Sequence, residues 1–165
     1  MVIEDSINDF ENKILRSFYS AKLNTDDFFS KKNTIMFGVS GGADSVAMLV
    51  AFSEIRKKIF SKNSPRFFVV TIDHSIRPSE ESSGDAFFVQ ELCHKLDVEC
   101  HIVHFPKGLV MNTASERMKG IEEAARFLRY QAFEQMAKEQ NAKFFCLAHN
   151  RNDQLETLLM RFLQG

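Results

Sequence analysis

Residues Ser40-Gly41-Gly42-Ala43-Asp44-Ser45 directly follow a short apolar run at 34–39. Two adjacent glycines let the backbone turn through conformations closed to other residues. Such a loop can aim successive N–H groups at one point, an anion-binding nest. A helix starting near Ser45 would add the positive end of its dipole. Ser40 and Ser45 supply hydroxyl donors. Asp44 is the odd member, because a carboxylate repels phosphate. A bridging Mg²⁺ would remove that conflict. The structural alternative is a tight turn with Asp44 or Ser45 as N-cap. Rival phosphate motifs are absent: no Lys follows the glycines, and there is no G-x-G-x-x-G.

These residues need elements to hold them. The pattern predicts an amphipathic helix over about 6–22 and a polar connection at 24–33 that embeds Phe28 and Phe29. A buried strand at 34–39 precedes the loop, and a helix over about 45–58 follows it. A second strand covers 66–72. A polar loop at 73–82 contains Pro78, and a helix runs over about 85–96. A third strand covers 98–105. Residues 106–114 form a loop into a long helix, with Thr113 and Glu116 as its capping box. Ala125, Leu128, Ala132 and Met136 form its buried stripe. A fourth strand covers 143–148, and a last helix starts near Asp153. Regular alternation of strand and helix predicts an α/β fold, doubly wound, with a mainly parallel sheet and helices on both faces, Rossmann-like. Ligands of such sheets bind outside the carboxyl ends of the strands. The polar clusters 40–45, 73–77 and 149–153 all fall at such ends.

Composition limits the function classes. The chain has 165 residues, which suits one core, and its 17 Phe and 7 Met fill that core without naming an activity. The longest apolar runs are too short for a bilayer span, and the acidic start does not read as a secretory signal, so a cytoplasmic protein is expected. Cys93, Cys100 and Cys146 form no Cys-x-x-Cys pair, so buried thiols are expected rather than a zinc site or disulfides. The net charge of -1 is low for a domain that grips RNA alone. If the substrate is a nucleic acid, most of the grip comes from elsewhere.

The run Val39-Ser40-Gly41-Gly42-Ala43-Asp44-Ser45 resembles the loop of the ATP pyrophosphatase (PP-loop) superfamily, whose members release pyrophosphate by adenylating a substrate. Three further segments narrow the resemblance: Ile72-Asp73-His74-Ser75-Ile76-Arg77; Ile121 through Glu122, Arg126 and Arg129 to Tyr130; and Leu147-Ala148-His149 through Asp153-Gln154 to Glu156-Thr157. Together, over about 34–165, they resemble the N-terminal domain of the tRNA(Ile)-lysidine synthetase family. The resemblance implies an adenine nucleotide alpha hydrolase-like fold and a ligase using ATP and Mg²⁺. Its partners would be free L-lysine and tRNA(Ile) with a CAU anticodon. ATP would adenylate the wobble cytidine, and lysine would displace AMP to leave lysidine.

The same resemblance distributes roles. Residues 40–45 would cradle phosphates, with Asp44 also holding the metal. Asp73 and His74 would lie by the adenosine, and Arg77 would be a loop cation with no special role. Asp153 and Glu156, three apart on a helix, would share a face, bind the lysine ammonium and supply a base. Asp-x-x-Glu is equally a capping box, and one residue can serve both ends. His149 would contact phosphate or the activated base, or be structural. Arg126 and Arg129 would neutralise phosphate charge, though Glu122 stands four residues before Arg126, as in a surface ion pair.

Two departures stand out. The family pattern has His-His before Asp-Gln and often two acids before Gln; here the residues are His149-Asn150 and Asn152-Asp153. The pattern also continues beyond residue 165. The expected organisation is therefore an N-terminal helix and connection at 1–33, followed by a PP-loop catalytic domain at 34–165, incomplete at its C-terminus. The tRNA grip would come mostly from absent regions, and a homodimer is left open. The alternatives are a cytidine thiolase of the same superfamily and an ATP-binding module without turnover.

Overall fold

The computed structural model describes residues 9–20, 24–60, 64–73, 79–149, 156–157 and 160–161. Helices α1 (Asp9–Ser20) and α2 (Thr25–Phe28) precede strand β1 (Thr34–Gly38) and helix α3 (Ala43–Ile59). Next come β2 (Arg66–Asp73), α4 (Ser79–Leu96), β3 (Glu99–His104), α5 (Leu109–Glu116), α6 (Ile121–Glu139) and β4 (Phe144–His149). Two short strands, β5 (Glu156–Thr157) and β6 (Met160–Arg161), complete the described residues.

Strands β3, β2, β1 and β4 lie side by side in that order, all parallel. The sequences of β1, β2 and β4 are largely apolar because helices cover both faces, whereas β3, at the edge, alternates with polar residues. Alternation within each strand sorts the side chains. Ile35, Phe37, Phe67, Val69, Phe144 and Cys146 join α1, α2, α3 and α4 in one core. Met36, Phe68, Val70, Phe145 and Leu147 pack with Phe133 and Ala137 of α6 on the other face. A third cluster ties α5 to α6 through Val110, Ala114, Ala124 and Ala125. The expected doubly wound α/β architecture is present.

Phe28 and Phe29, expected within a polar connection, are fully buried in the larger core. Phe29 stacks on Phe60 at 4.3 Å between ring centroids, and Phe28 meets Phe144 at 4.8 Å. Asn24 caps α2 through its side chain, which accepts from the N–H groups of Asp26 and Asp27. That cap turns the chain so that both rings face the sheet. Buried Glu11 pairs with Lys58 at 3.2 Å and fastens α1 to α3.

Several local expectations are corrected. Helix α4 starts at Ser79 rather than near 85, taking in part of the expected loop 73–82, just after Pro78 in the sequence. Thr113 and Glu116 do not cap the long helix. They lie inside the separate helix α5, and α6 starts from Gly120 with no side-chain cap. Burial decides this: Val110 and Ala114 sit one turn apart and pack on Ala124 and Ala125, so the chain folds back there. Met118, in a left-handed conformation, makes the reversal. Residues 156–157 and 160–161 are extended, not helical, and pair antiparallel with β4. The exposed edge of β4 offers unpaired backbone groups, and these short strands satisfy some of them.

Because Phe29 fills the space between the sheet and α3, Phe29→Ala should lose about 3–5 kcal/mol of stability in guanidinium denaturation. A loss below about 1 kcal/mol would show that the N-terminal segment is not part of this core.

Candidate functional site

Strand β1 sits at the topological switch point. Its own connection through α3 leads to β2 on one side, while β4 lies on the other side. The loop after β1 therefore opens into the crevice between diverging connections, where doubly wound sheets bind ligands.

The loop is shaped by its backbone. Gly41 has φ of +86°, a left-handed conformation that costs a non-glycine residue about 1–2 kcal/mol. Gly42 is the N-cap of α3 and has no side chain to cap with. The first-turn N–H groups of α3 are thus left for an incoming acceptor. Neither Asp44 nor Ser45 is the N-cap, as the structural alternative required. Both lie inside the helix, which starts two residues before the expected position.

Ser45 is buried and holds the turn. Its hydroxyl donates to the Gly42 carbonyl at 2.9 Å and accepts from the Ser40 N–H at 3.2 Å. The Ser40 and Ser45 hydroxyl oxygens are 3.3 Å apart, and the Gly42 N–H points to Ser40 Oγ at 3.5 Å. Ser45 therefore braces the loop, while exposed Ser40 has a hydroxyl within reach of a ligand. Asp44 is exposed, and its carboxylate makes no ion pair with a described residue. A hard oxygen donor beside a phosphate nest fits a divalent cation such as Mg²⁺.

Other expected residues are placed less uniformly. Asp73 ends β2, but its carboxylate meets His104 Nδ1 at 3.2 Å and its carbonyl accepts from the Phe105 N–H at 2.9 Å. Part of its hydrogen-bonding capacity thus joins β2 to β3. His74, Arg77 and Asp153 lie outside the described residues. His149 is the last residue of β4, and its Cα is paired with that of Glu156 across the antiparallel ladder. His149 and Glu156 thus become backbone neighbours through strand pairing, and Glu156 lies on a strand rather than on the helix face expected for it with Asp153.

Arg126 and Arg129 lie on α6. A Cβ built on Gly38, the last residue of β1, would lie 2.9 Å from Phe133 Cζ, so Phe133 crosses the end of that strand. α6 runs back against the parallel strands it connects. Arg129 and Arg126 precede Phe133 by four and seven residues, about 6 and 10 Å farther along the axis toward the crevice side. Arg129 is half-buried, and burial holds its guanidinium below the ordinary arginine value, with Arg126 adding to the effect and Tyr130 opposing it. It makes no ion pair with a described residue. Arg126 stacks over Tyr130 at 5.7 Å instead of pairing with Glu122, so the expected surface ion pair is absent.

One close neighbour escaped the sequence reading. Asp85 of α4 packs against Gly41: a Cβ at Gly41 would lie 3.4 Å from Asp85 Cβ and 3.7 Å from its Cγ. Residues 44 apart in sequence carry no local signal of such contact. Cys93 and Cys100 also meet, and hydrogen bonding to Cys100 together with burial pushes the Cys93 thiol well above its ordinary range. They lie near the end of α4 and the start of β3, at the opposite end of the parallel strands from the loop. Among the described residues, no three His, Cys, Asp or Glu residues are grouped to hold a metal ion, and no helix is long and apolar enough to cross a membrane.

Fold and site define a nucleotide-binding α/β domain with a glycine phosphate loop at the switch point of a parallel sheet. The chain belongs to the PP-loop domain family, which it matches over residues 8–165. It is 47% identical over 131 residues to the tRNA(Ile)-lysidine synthase of Treponema denticola, covering 79% of this chain and 27% of that protein. It is 37% identical over 144 residues to the synthase of Thermosipho africanus, covering 87% and 32%. The chain thus spans about a third or less of the length of these relatives. Among solved structures it is similar to the U34-tRNA thiolase NcsA of Methanococcus maripaludis, with a TM-score of 0.65 and 19% identity over 87% of this chain and 47% of that one. The NH3-dependent NAD synthetase of Campylobacter jejuni has a TM-score of 0.52 and 16% identity over 86% and 58%. At these identities the structures support the fold alone. A PP-loop domain implies ATP binding.

Gly41→Ala places a Cβ in a left-handed conformation against Asp85. It should cost about 1–2 kcal/mol of stability and weaken ATP binding, measured by calorimetry. Unchanged ATP affinity would remove the loop from the nucleotide site.

Proposed function

We propose that this chain is the ATP-binding part of a ligase that adenylates the wobble cytidine of tRNA(Ile) with a CAU anticodon and joins lysine to it. The 47% identity to a tRNA(Ile)-lysidine synthase over most of this chain carries the reading. The phosphate loop supplies the chemistry it needs.

The position-2 oxygen of cytidine is a poor leaving group. It attacks the α-phosphorus of ATP, and the bond to pyrophosphate breaks. The ε-amine of lysine then attacks C2, and AMP leaves with the oxygen. Free N–H groups at the start of α3 and the Ser40 hydroxyl hold the phosphates, while Ser45 keeps the loop in shape. Mg²⁺ held by Asp44 would neutralise charge on the phosphates. Arg129, which has no acidic partner among the described residues, offers a partly desolvated guanidinium to the charge that develops at the α-phosphorus. Asp153 and Glu156 bind the lysine ammonium, and one of them takes its proton. His149, next to Glu156 in the ladder, contacts phosphate or the activated base.

The test follows α-labelled ATP incubated with Mg²⁺, lysine and an unmodified isoleucine tRNA transcript, using this chain and, beside it, a full-length relative. AMP that requires both lysine and tRNA is the expected product. Release of ADP in place of AMP would reject the reading. In the active protein, Asp153→Asn should abolish lysine-dependent turnover while ATP still binds; full activity would exclude that residue from the lysine site. Asp44→Ala should weaken binding of Mg·ATP, and an unchanged affinity would defeat the metal bridge.

A further inference from the structure

The loop carries an electrostatic conflict larger than Asp44 alone creates. Asp44 stands in the first turn of α3, and Asp85 reaches Gly41 from α4. Both are exposed carboxylates, and neither makes an ion pair with a described residue. The N-terminus of α3 offers only about half a positive charge. Two carboxylates outweigh it, so the nest is shaped for an anion, yet the described side-chain charges on α3 and α4 nearest to it are negative. Arg126 and Arg129 belong to α6, which covers the other face of the sheet, away from α3 and α4.

We propose that Asp85 is a specificity-determining residue that makes the phosphate loop select the cation-complexed nucleotide over the bare one. This rests on the reading of the loop as a nucleotide site. The Asp85 carboxylate lies beside the turn whose N–H groups meet the phosphates. A bare triphosphate meets repulsion from that carboxylate there. A divalent cation on the triphosphate turns the same carboxylate into a favourable or neutral neighbour. Asp44 then acts through direct contact with the cation, and Asp85 through the field it adds at the loop. Neither the charge nor the shape of the nest alone gives this preference. It arises because α4 brings a second acid to a loop that already contains one.

Calorimetry on the full chain, at matched ionic strength, would measure ATP affinity with Mg²⁺ and again with EDTA. The wild-type chain should prefer Mg·ATP. Asp85→Asn should tighten metal-free ATP by about fivefold, the scale of one unit-charge repulsion at about 4 Å in water, and leave Mg·ATP within about twofold. Asp85→Ser, which also removes the charge, should move the ratio the same way, and Asp85→Glu should keep the wild-type ratio. Folding of each variant is checked by circular dichroism. A ratio unchanged in the Asn and Ser variants, with Mg·ATP still bound, overturns the role of Asp85 and leaves the nucleotide site standing. Failure of the wild-type chain to bind ATP in either form rejects the nucleotide reading and this role with it.

Discussion

The left-handed turn at Gly41 is the constraint on which the site depends. β1 is buried on both faces, so its direction is set by neighbouring strands and by the helices that cover it. α3 must start within a few residues and run back against the sheet. The chain can reverse in so short a loop only by passing through a conformation that side chains resist. The consequence is chemical as well as geometric. The reversal leaves the first N–H groups of α3 uncapped at the open end of the sheet, and Ser45 pins the loop from beneath. Packing thus dictates where the donors are, and glycine permits it.

Around this turn the fold separates charge. α3 and α4 bring Asp44 and Asp85 on one face of the sheet, while α6 brings Arg126 and Arg129 on the other. Arg129 is partly desolvated, which raises its value to an anion that can reach it. A nucleotide in the crevice would bridge the two sets. The acids favour a bound cation, and the arginines favour the phosphate oxygens.

Much of this was legible in the chain itself. Strand and helix alternate with clear periods, so the parallel sheet and its two helical layers follow from hydrophobic pattern. The phosphate loop is readable because its signal is local: two glycines, two serines and an acid in six positions after an apolar strand. Errors arose where local signals were ambiguous. Thr113 and Glu116 have the spacing of a capping box, yet tertiary burial of Val110 and Ala114 made them helix interior. Asp153 and Glu156 have the same spacing, yet the described residues from 156 onward are extended along β4. Phe28 and Phe29 sit among polar residues, and no periodicity showed that they anchor the core.

By itself, the sequence determined the fold class, the position of the phosphate loop and the types of donor it offers. These depend on short-range patterns: period, glycine freedom and strand-helix order. Only the tertiary structure decided that Asp85 borders Gly41, that Asp73 is partly engaged by His104, that Arg129 lacks an acidic partner among the described residues, and that His149 stands beside Glu156. Each of these joins residues far apart in the chain or on separate elements. Such contacts are set by how helices pack on the sheet and how strands pair at its edge, and no local pattern records them.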